Sequence, residues 1–126
     1  MRAAIIAQLV GGCTLISNWW QPFKATADTP KPYGVVKIGT KTGDGLNSLA
    51  AYRAVEIWPY FDRAKADFDM VDAAVRQIRA ALKDKTLTTA AGDRFTLEFT
   101  GEGQDYRDDA LDALTRPVYF RIPGLM

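Results

Sequence analysis

Two runs near the C-terminal end of the chain limit its fold more than any other feature. They are Arg94-Phe-Thr-Leu-Glu-Phe-Thr100 and Pro117-Val-Tyr-Phe-Arg-Ile-Pro123. Phe95, Leu97 and Phe99 alternate with Thr96, Glu98 and Thr100, and Val118, Phe120 and Ile122 alternate with Tyr119 and Arg121. Successive side chains of a strand point to opposite faces, so each run has one apolar and one polar face. That is the pattern of an antiparallel sheet covered on one side only. An acidic segment, Asp105 to Arg116, separates the two runs and reads as a solvated turn or short helix anchored by Ala110, Leu111 and Leu114.

The covering layer is legible upstream. Phe68, Val71, Val75, Ile78 and Leu82 recur at intervals of three and four, a full apolar stripe along one helix face. Asp67 is placed to cap this helix. Asp69 and Asp72 stand near the positive end of its dipole and Lys83 near the negative end, and Asp72 with Arg76 makes an i,i+4 pair. Residues 2–16 read as a first helix, with Ile5, Ile6, Leu9, Cys13 and Ile16 facing inward and Gly11 and Gly12 weakening its end. Tyr33 to Gly39 and Ala51 to Trp58 read as two further strands, the second ended by Pro59. The polar stretch Thr40 to Ser48 joins them as a loop, and Thr86 to Gly92 reads as a short edge strand and turn. The expectation is therefore one domain over residues 1–126. It is an α+β fold with a mainly antiparallel sheet of about four strands on two helices, in the order α-β-β-α-β-β.

Composition removes several classes of chemistry. Sixteen basic and fifteen acidic residues give a formal net charge of +1. They are mixed along the chain, with no basic run that could neutralise neighbouring phosphates. Histidine is absent and there is one cysteine, Cys13. The Ser-His and Cys-His dyads, the commonest metal ligand and any internal disulfide go with them. No run reaches the ~18 apolar residues of a membrane-spanning helix.

The remaining constellations have simpler structural readings. Asp105, Asp108, Asp109 and Asp112 lie within eight residues, but their spacing matches no calcium loop and Arg107 lies among them. Gly101-Glu-Gly103 follows a strand, yet Glu102 would repel a phosphate, so a turn is the reading. Glu56 and Glu98 fit cross-strand pairs with Arg53, Lys37 or Arg121 better than paired acid/base catalysis. The aromatic groups around Trp19-Trp20 and Trp58-Tyr60-Phe61 suit a core or subunit interface. No catalytic residue, metal site or cofactor is assigned.

The N-terminal stretch has a second reading. Val10-Gly-Gly-Cys13 after a short apolar run has the form of a bacterial lipoprotein signal anchored through Cys13. That reading makes the chain a lipoprotein or small ligand-binding module. Against it, the run is short and contains Gln8, and Ile5, Leu9, Cys13 and Ile16 share one helix face.

Taken whole, the chain resembles the tail terminator, tail-completion or minor tail proteins of long-tailed bacteriophages and prophages. The resemblance rests on length, on the order of elements, on Ala54-Val-Glu-Ile-Trp-Pro-Tyr60, on the Phe68–Leu82 helix, and on the Asp-rich segment leading into Arg116-Pro-Val-Tyr-Phe-Arg-Ile-Pro123. It implies a ring, usually a hexamer, at the head-proximal end of the tail tube, assembled in the host bacterial cytoplasm. Its implied partners are further copies of the chain, the major tail tube protein and a head–tail connector or neck protein. DNA would only pass through the channel, without sequence-specific binding, and no membrane is implied. Under that resemblance Thr40, Lys41, Asp44 and Asn47 of the polar loop are candidate contacts to tube or neck. So are Glu102, Gln104, Asp105, Arg107 and Asp108 of the second segment. Thr96, Glu98, Tyr119 and Arg121 are candidates for a lumen lining.

Overall fold

The computed structural model describes residues 1–16, 18–20, 31–44 and 47–123, with residues 40–44 and 47–51 described as backbone only. Its elements in chain order are α1 (Arg2–Gly12), β1 (Asn18–Trp20), β2 (Tyr33–Asp44), β3 (Asn47–Asp62), α2 (Phe68–Leu82), β4 (Thr86–Thr88), β5 (Arg94–Thr96), β6 (Glu98–Glu102), β7 (Tyr106–Asp108), β8 (Ala113–Thr115) and β9 (Val118–Pro123). The α+β class and the mostly antiparallel pairing agree with the sequence reading. The strand count and the order α-β-β-α-β-β do not, because three strands separate the helices and six follow α2, with seven strands in one sheet and β4 with β5 in a second, two-stranded one.

The spine of the large sheet is β3. It pairs with β2 along one edge. On its other edge it pairs with β9 through Tyr52–Ile57 and with β8 through Tyr60–Asp62. Strand β6 adds to β9, β7 adds to β8, and β1 adds to β2 in parallel. The expected polar loop Thr40–Ser48 is therefore mostly the outer end of a long hairpin, with residues 45 and 46 outside the described residues. The expected stop at Pro59 is also corrected, since β3 runs through it to Asp62. Trp58 and Pro59 fall between the stretches that pair with β9 and β8. A strand can hold a residue without an N–H donor at such a gap.

The acidic segment is a third correction. Glu98 to Pro123 forms one long hairpin, with β6 and β7 running against β9 and β8, and both strands break at the same level. Pro117 offers no N–H at the break, and its carbonyl accepts from the Gly103 N–H at 2.9 Å. A Cβ on Gly103 would stand 2.5 Å from the Pro117 ring, so only glycine fits here. The Gly101-Glu-Gly103 stretch is accordingly the end of β6 and the start of the break, not a free turn.

The first alternating run also divides. Phe95 and Leu97 are buried and Phe99 packs against the same core, as expected. At Leu97 the chain leaves β5, which pairs with β4, and enters β6. The Leu97 amide donates to the Lys85 carbonyl at 3.0 Å, and its carbonyl accepts from Asp84 at 2.9 Å.

Both helices cover one face of the large sheet. Ile5, Leu9, Val71, Val75, Ile78 and Leu82 meet Val36, Val55, Ile57, Val118, Phe120 and Ile122 in one core. Asp67 caps α2, accepting from the Met70 N–H at 3.2 Å. The first helix ends at Gly12, earlier than the expected 16. A Cβ on Gly12 would lie 2.6 Å from the Ala81 Cβ, so this glycine marks where the helices touch. Gln8 donates to the Ala81 carbonyl at 2.9 Å, satisfying an orphan carbonyl at the end of α2. Cys13 is fully buried beside this crossing, and burial pushes its thiol pKa up while the Ile16 and Leu15 amides oppose the shift. Residues 2–12 and Cys13 thus contribute a helix and a side chain to the core of this fold.

Candidate assembly surfaces

The face of the large sheet turned away from the helices is the broadest surface built by strands, and it has two regions. At one end the cross-strand row Asn18, Tyr33, Tyr60, Thr115 and Tyr106 spans five strands. Tyr33, Tyr60 and Thr115 are buried, and the two tyrosines form a second, smaller apolar cluster with Val35, Ala113, Trp58 and Leu111. The Tyr33 and Tyr60 rings lie 5.2 Å apart. Burial, with the Asp108 carboxylate adding to it, pushes the Tyr33 hydroxyl up to about 12 and raises that of Tyr60 as well. The Tyr33 hydroxyl and Thr115 Oγ1 have no hydrogen-bond partner among the described residues.

Further along, the face turns polar. The register sets Lys37 opposite Glu56 and Glu56 opposite Tyr119. Ala54 lies opposite Arg121, and Arg121 opposite Glu98. Glu98 and Arg121 form an ion pair at 3.3 Å. Among the described residues Glu56 pairs with no cation; it accepts from the Trp58 indole N–H at 2.8 Å. Lys37 Nζ stands 4.6 Å from the centre of the Trp58 ring, a cation–π contact. Tyr52, Ala54, Glu56, Thr100, Tyr119 and Arg121 line a depression of about 340 Å³ between β3, β9 and β6. Of the four residues expected to line a lumen, Glu98, Tyr119 and Arg121 share this face. Thr96 does not. It belongs to the two-stranded sheet, where its hydroxyl lies 2.8 Å from that of Thr86.

The second expected contact segment surrounds the hairpin break, and its charges are already engaged within the chain. Arg116 is the hub, a residue the sequence reading did not single out. Its guanidinium binds Asp105 at 2.6 Å, Glu102 at 3.4 Å, and Asp72 of α2. Burial pulls its pKa down, but the bonds to Asp105 and Asp72 outweigh that and raise it. Asp72 thus serves Arg116, where the sequence suggested Arg76. Glu102 also pairs with Arg79 at 3.4 Å, and that guanidinium lies 4.2 Å from the centre of the Phe99 ring. Asp108 caps its own turn through the Leu111 N–H, Asp109 pairs with Arg107, and Asp112 pairs with Arg63. Each aspartate of the cluster has its own partner, and no metal-binding group forms among the described residues. Thr40, Lys41, Asp44 and Asn47 sit at the far end of the β2–β3 hairpin, and their side chains lie outside the described residues. No helix is long and apolar enough to cross a membrane among the described residues.

No protein-family model matches the chain, and no curated protein is similar enough to serve as a relative. Among solved structures, the chain is similar to one from the virion of a native gene transfer agent particle. The match has a TM-score of 0.68 and 21% sequence identity, covering 98% of this chain and 92% of that one. At that identity the likeness establishes a shared fold, carried over nearly the full length of both chains.

Proposed function

We propose that this chain is a structural, non-catalytic virion protein of a phage-type particle. In this reading copies form a ring, hexameric in the family the sequence resembles, that caps the head-proximal end of the tail tube. The ring ends tube polymerisation and joins the tail to the head or neck. The observation that carries the reading is the fold shared with a gene transfer agent virion chain from end to end. It supports a phage-type virion protein, the broader class within which the sequence resemblance points to the tail terminators. The surfaces are physically suited to the role. A sheet with open edges and a broad polar face offers different patches to different neighbours, as a closed ring of identical subunits requires. Mixed charges along Lys37, Glu56, Glu98 and Arg121 give a face to which passing DNA would not adhere. Electron microscopy of particles assembled with and without the chain tests the proposal. Without it, tails of irregular length unjoined to heads are expected. Uniform tails on filled heads would overturn it.

A further inference from the structure

Arg63, Arg79, Arg107, Arg116 and Arg121 each hold a carboxylate of the same chain. Arg53 does not follow them. The regular pairing of β3 with β9 puts Arg53 on the same face as Val55 and Ile57, the face that the helices cover. Its Nε is shut off from solvent and has no hydrogen-bond partner among the described residues. Glu56, one of the pairings the sequence suggested, lies three positions along β3 and so on the opposite face. Buried donors are nearly always satisfied, by protein, by water or by a bound ligand.

Arg53 lines a pocket of about 360 Å³ at the start of α1, together with Met1, Arg2, Ile38 and Gly39. The Arg2 Nε donates to the Val36 carbonyl at 3.2 Å, which fixes a second guanidinium in the pocket wall. No carboxylate lines the pocket among the described residues. The helix beginning here has no side-chain cap and no acidic residue in its first turn, so the positive end of its dipole adds to the two cations.

We infer that this pocket binds a single oxyanion group, a carboxylate or a phosphate, between Arg53 and Arg2. The planar fork of a guanidinium offers its Nε–H and one terminal N–H together to two oxygens of such a group. A ligand held that way satisfies the orphaned Nε of Arg53 and neutralises the pocket. The group is single because the pocket is small and the basic residues of the chain are mixed with acidic ones, with no track for a polyanion. The inference stands apart from the capping role and does not depend on it.

Nitrogen–proton correlation spectra resolve arginine Nε–H groups and test the site directly. Sodium phosphate and sodium acetate, titrated separately at constant ionic strength, should each shift the Arg53 and Arg2 Nε–H signals. At least one titration should saturate, with a dissociation constant of ~10 mM or tighter, and the tighter anion identifies the source of the group. Sodium chloride should produce no saturable shift. Arg53→Lys, followed through the Arg2 signal, should bind at least about tenfold more weakly, because an ammonium lacks the planar fork. Arg53→Met should melt no lower than the wild type, since it removes a donor with no partner, and its melting temperature should not rise with the anion as that of the wild type does. Shifts that are linear, or equal in chloride, would overturn the inference. So would a short DNA duplex that moves the Arg53 signal where neither small anion does, or a melting temperature in Arg53→Met lowered by several degrees, which would make Arg53 a structural residue.

Discussion

The two faces of the large sheet are built from the same strands but serve different ends. The inner face is uniform. Val36, Val55, Ile57, Val118, Phe120 and Ile122 are all almost fully buried under two helices. The outer face is divided between a dry aromatic end around Tyr33 and Tyr60 and a wet end of paired charges around Glu98 and Arg121. Burial of apolar area is the main stabilising contribution, and exposed ion pairs add little. Stability should therefore reside in the inner face, and the capacity for specific contacts in the outer one. Substitutions on the two faces should separate these properties.

The largest effect is expected at Phe120, which is 1% exposed and meets Phe99 edge-on at 5.8 Å. Phe120→Ala should cost about 3–5 kcal/mol through lost transfer energy and the cavity left behind. A urea titration reads this directly, and a shift under about 1 kcal/mol would show that the inner face is not the stabilising one. Gly34 tests the same face from its edge. A Cβ there would lie 2.1 Å from the Trp19 ring. Gly34→Ala should cost about 1–3 kcal/mol through overpacking and change the near-ultraviolet signal of Trp19.

Arg116 belongs to neither face, since it fills the gap where the hairpin breaks. Arg116→Ala leaves Asp72, Asp105 and Glu102 with like charges and no shared cation. A cost of about 2 kcal/mol is expected, in the range for hydrogen bonds to charged groups. Arg116→Lys should recover only part of it, because an ammonium cannot reproduce the planar fork. Full recovery by lysine would reduce the network to simple charge balance.

The dry end of the outer face has a pH signature. Tyr33 is neutral in the fold up to about 12, whereas an exposed tyrosine ionises near 10. The folded state therefore holds the phenolic proton more tightly. Its contribution is fully present below pH 10 and is lost as pH rises through about 12, with Tyr60 acting in the same direction. The melting temperature should fall across that window. Tyr33→Phe should flatten the fall and leave stability at neutral pH unchanged or higher, because the hydroxyl has no partner among the described residues to lose. An identical alkaline profile in that variant would remove Tyr33 from the account.

The contrast between faces was readable in the sequence where periodicity alone governs structure. The stripe on α2 and the alternation at Phe95–Phe99 and Val118–Ile122 gave both the covering helix and the buried side of the sheet. The breaks were not readable. Pro59 signals a strand end unless the partner strands are known to part at its level, and that gap is set by Pro117 some sixty residues away. The division at Leu97 is equally non-local, depending on Lys85 and Asp84 to receive its backbone. A sequence with no β-branched run between Asp105 and Ala113 shows turn chemistry, and the pairing of β7 with β8 wins there because the sheet edge is already in place. Gln8 and Gly12 were counted against a helix or a signal when they mark where α1 meets α2. Arg116 was missed because ion-pair partners on three separate elements leave no pattern in one sequence.

The smallest expected change in stability is the most informative about function. Glu98 and Arg121 are paired across β6 and β9 at 3.3 Å with both side chains substantially exposed. Removing such a pair costs ~0–1 kcal/mol, so Glu98→Ala with Arg121→Ala should melt close to the wild type. If the wet end of the outer face only keeps the sheet soluble, particles carrying the double variant should assemble normally. If it meets a neighbour or lines the channel, the same variant should give normal amounts of folded protein and defective joining of heads to tails. Replacing the pair in reverse order, Glu98→Arg with Arg121→Glu, sharpens the result. The reversed pair keeps the intramolecular bond and changes only what a neighbour encounters. Normal particles from the reversed pair and defective ones from the alanine variant would mean that the pair acts by holding β6 to β9. Defects in both would place the contact on the charges themselves.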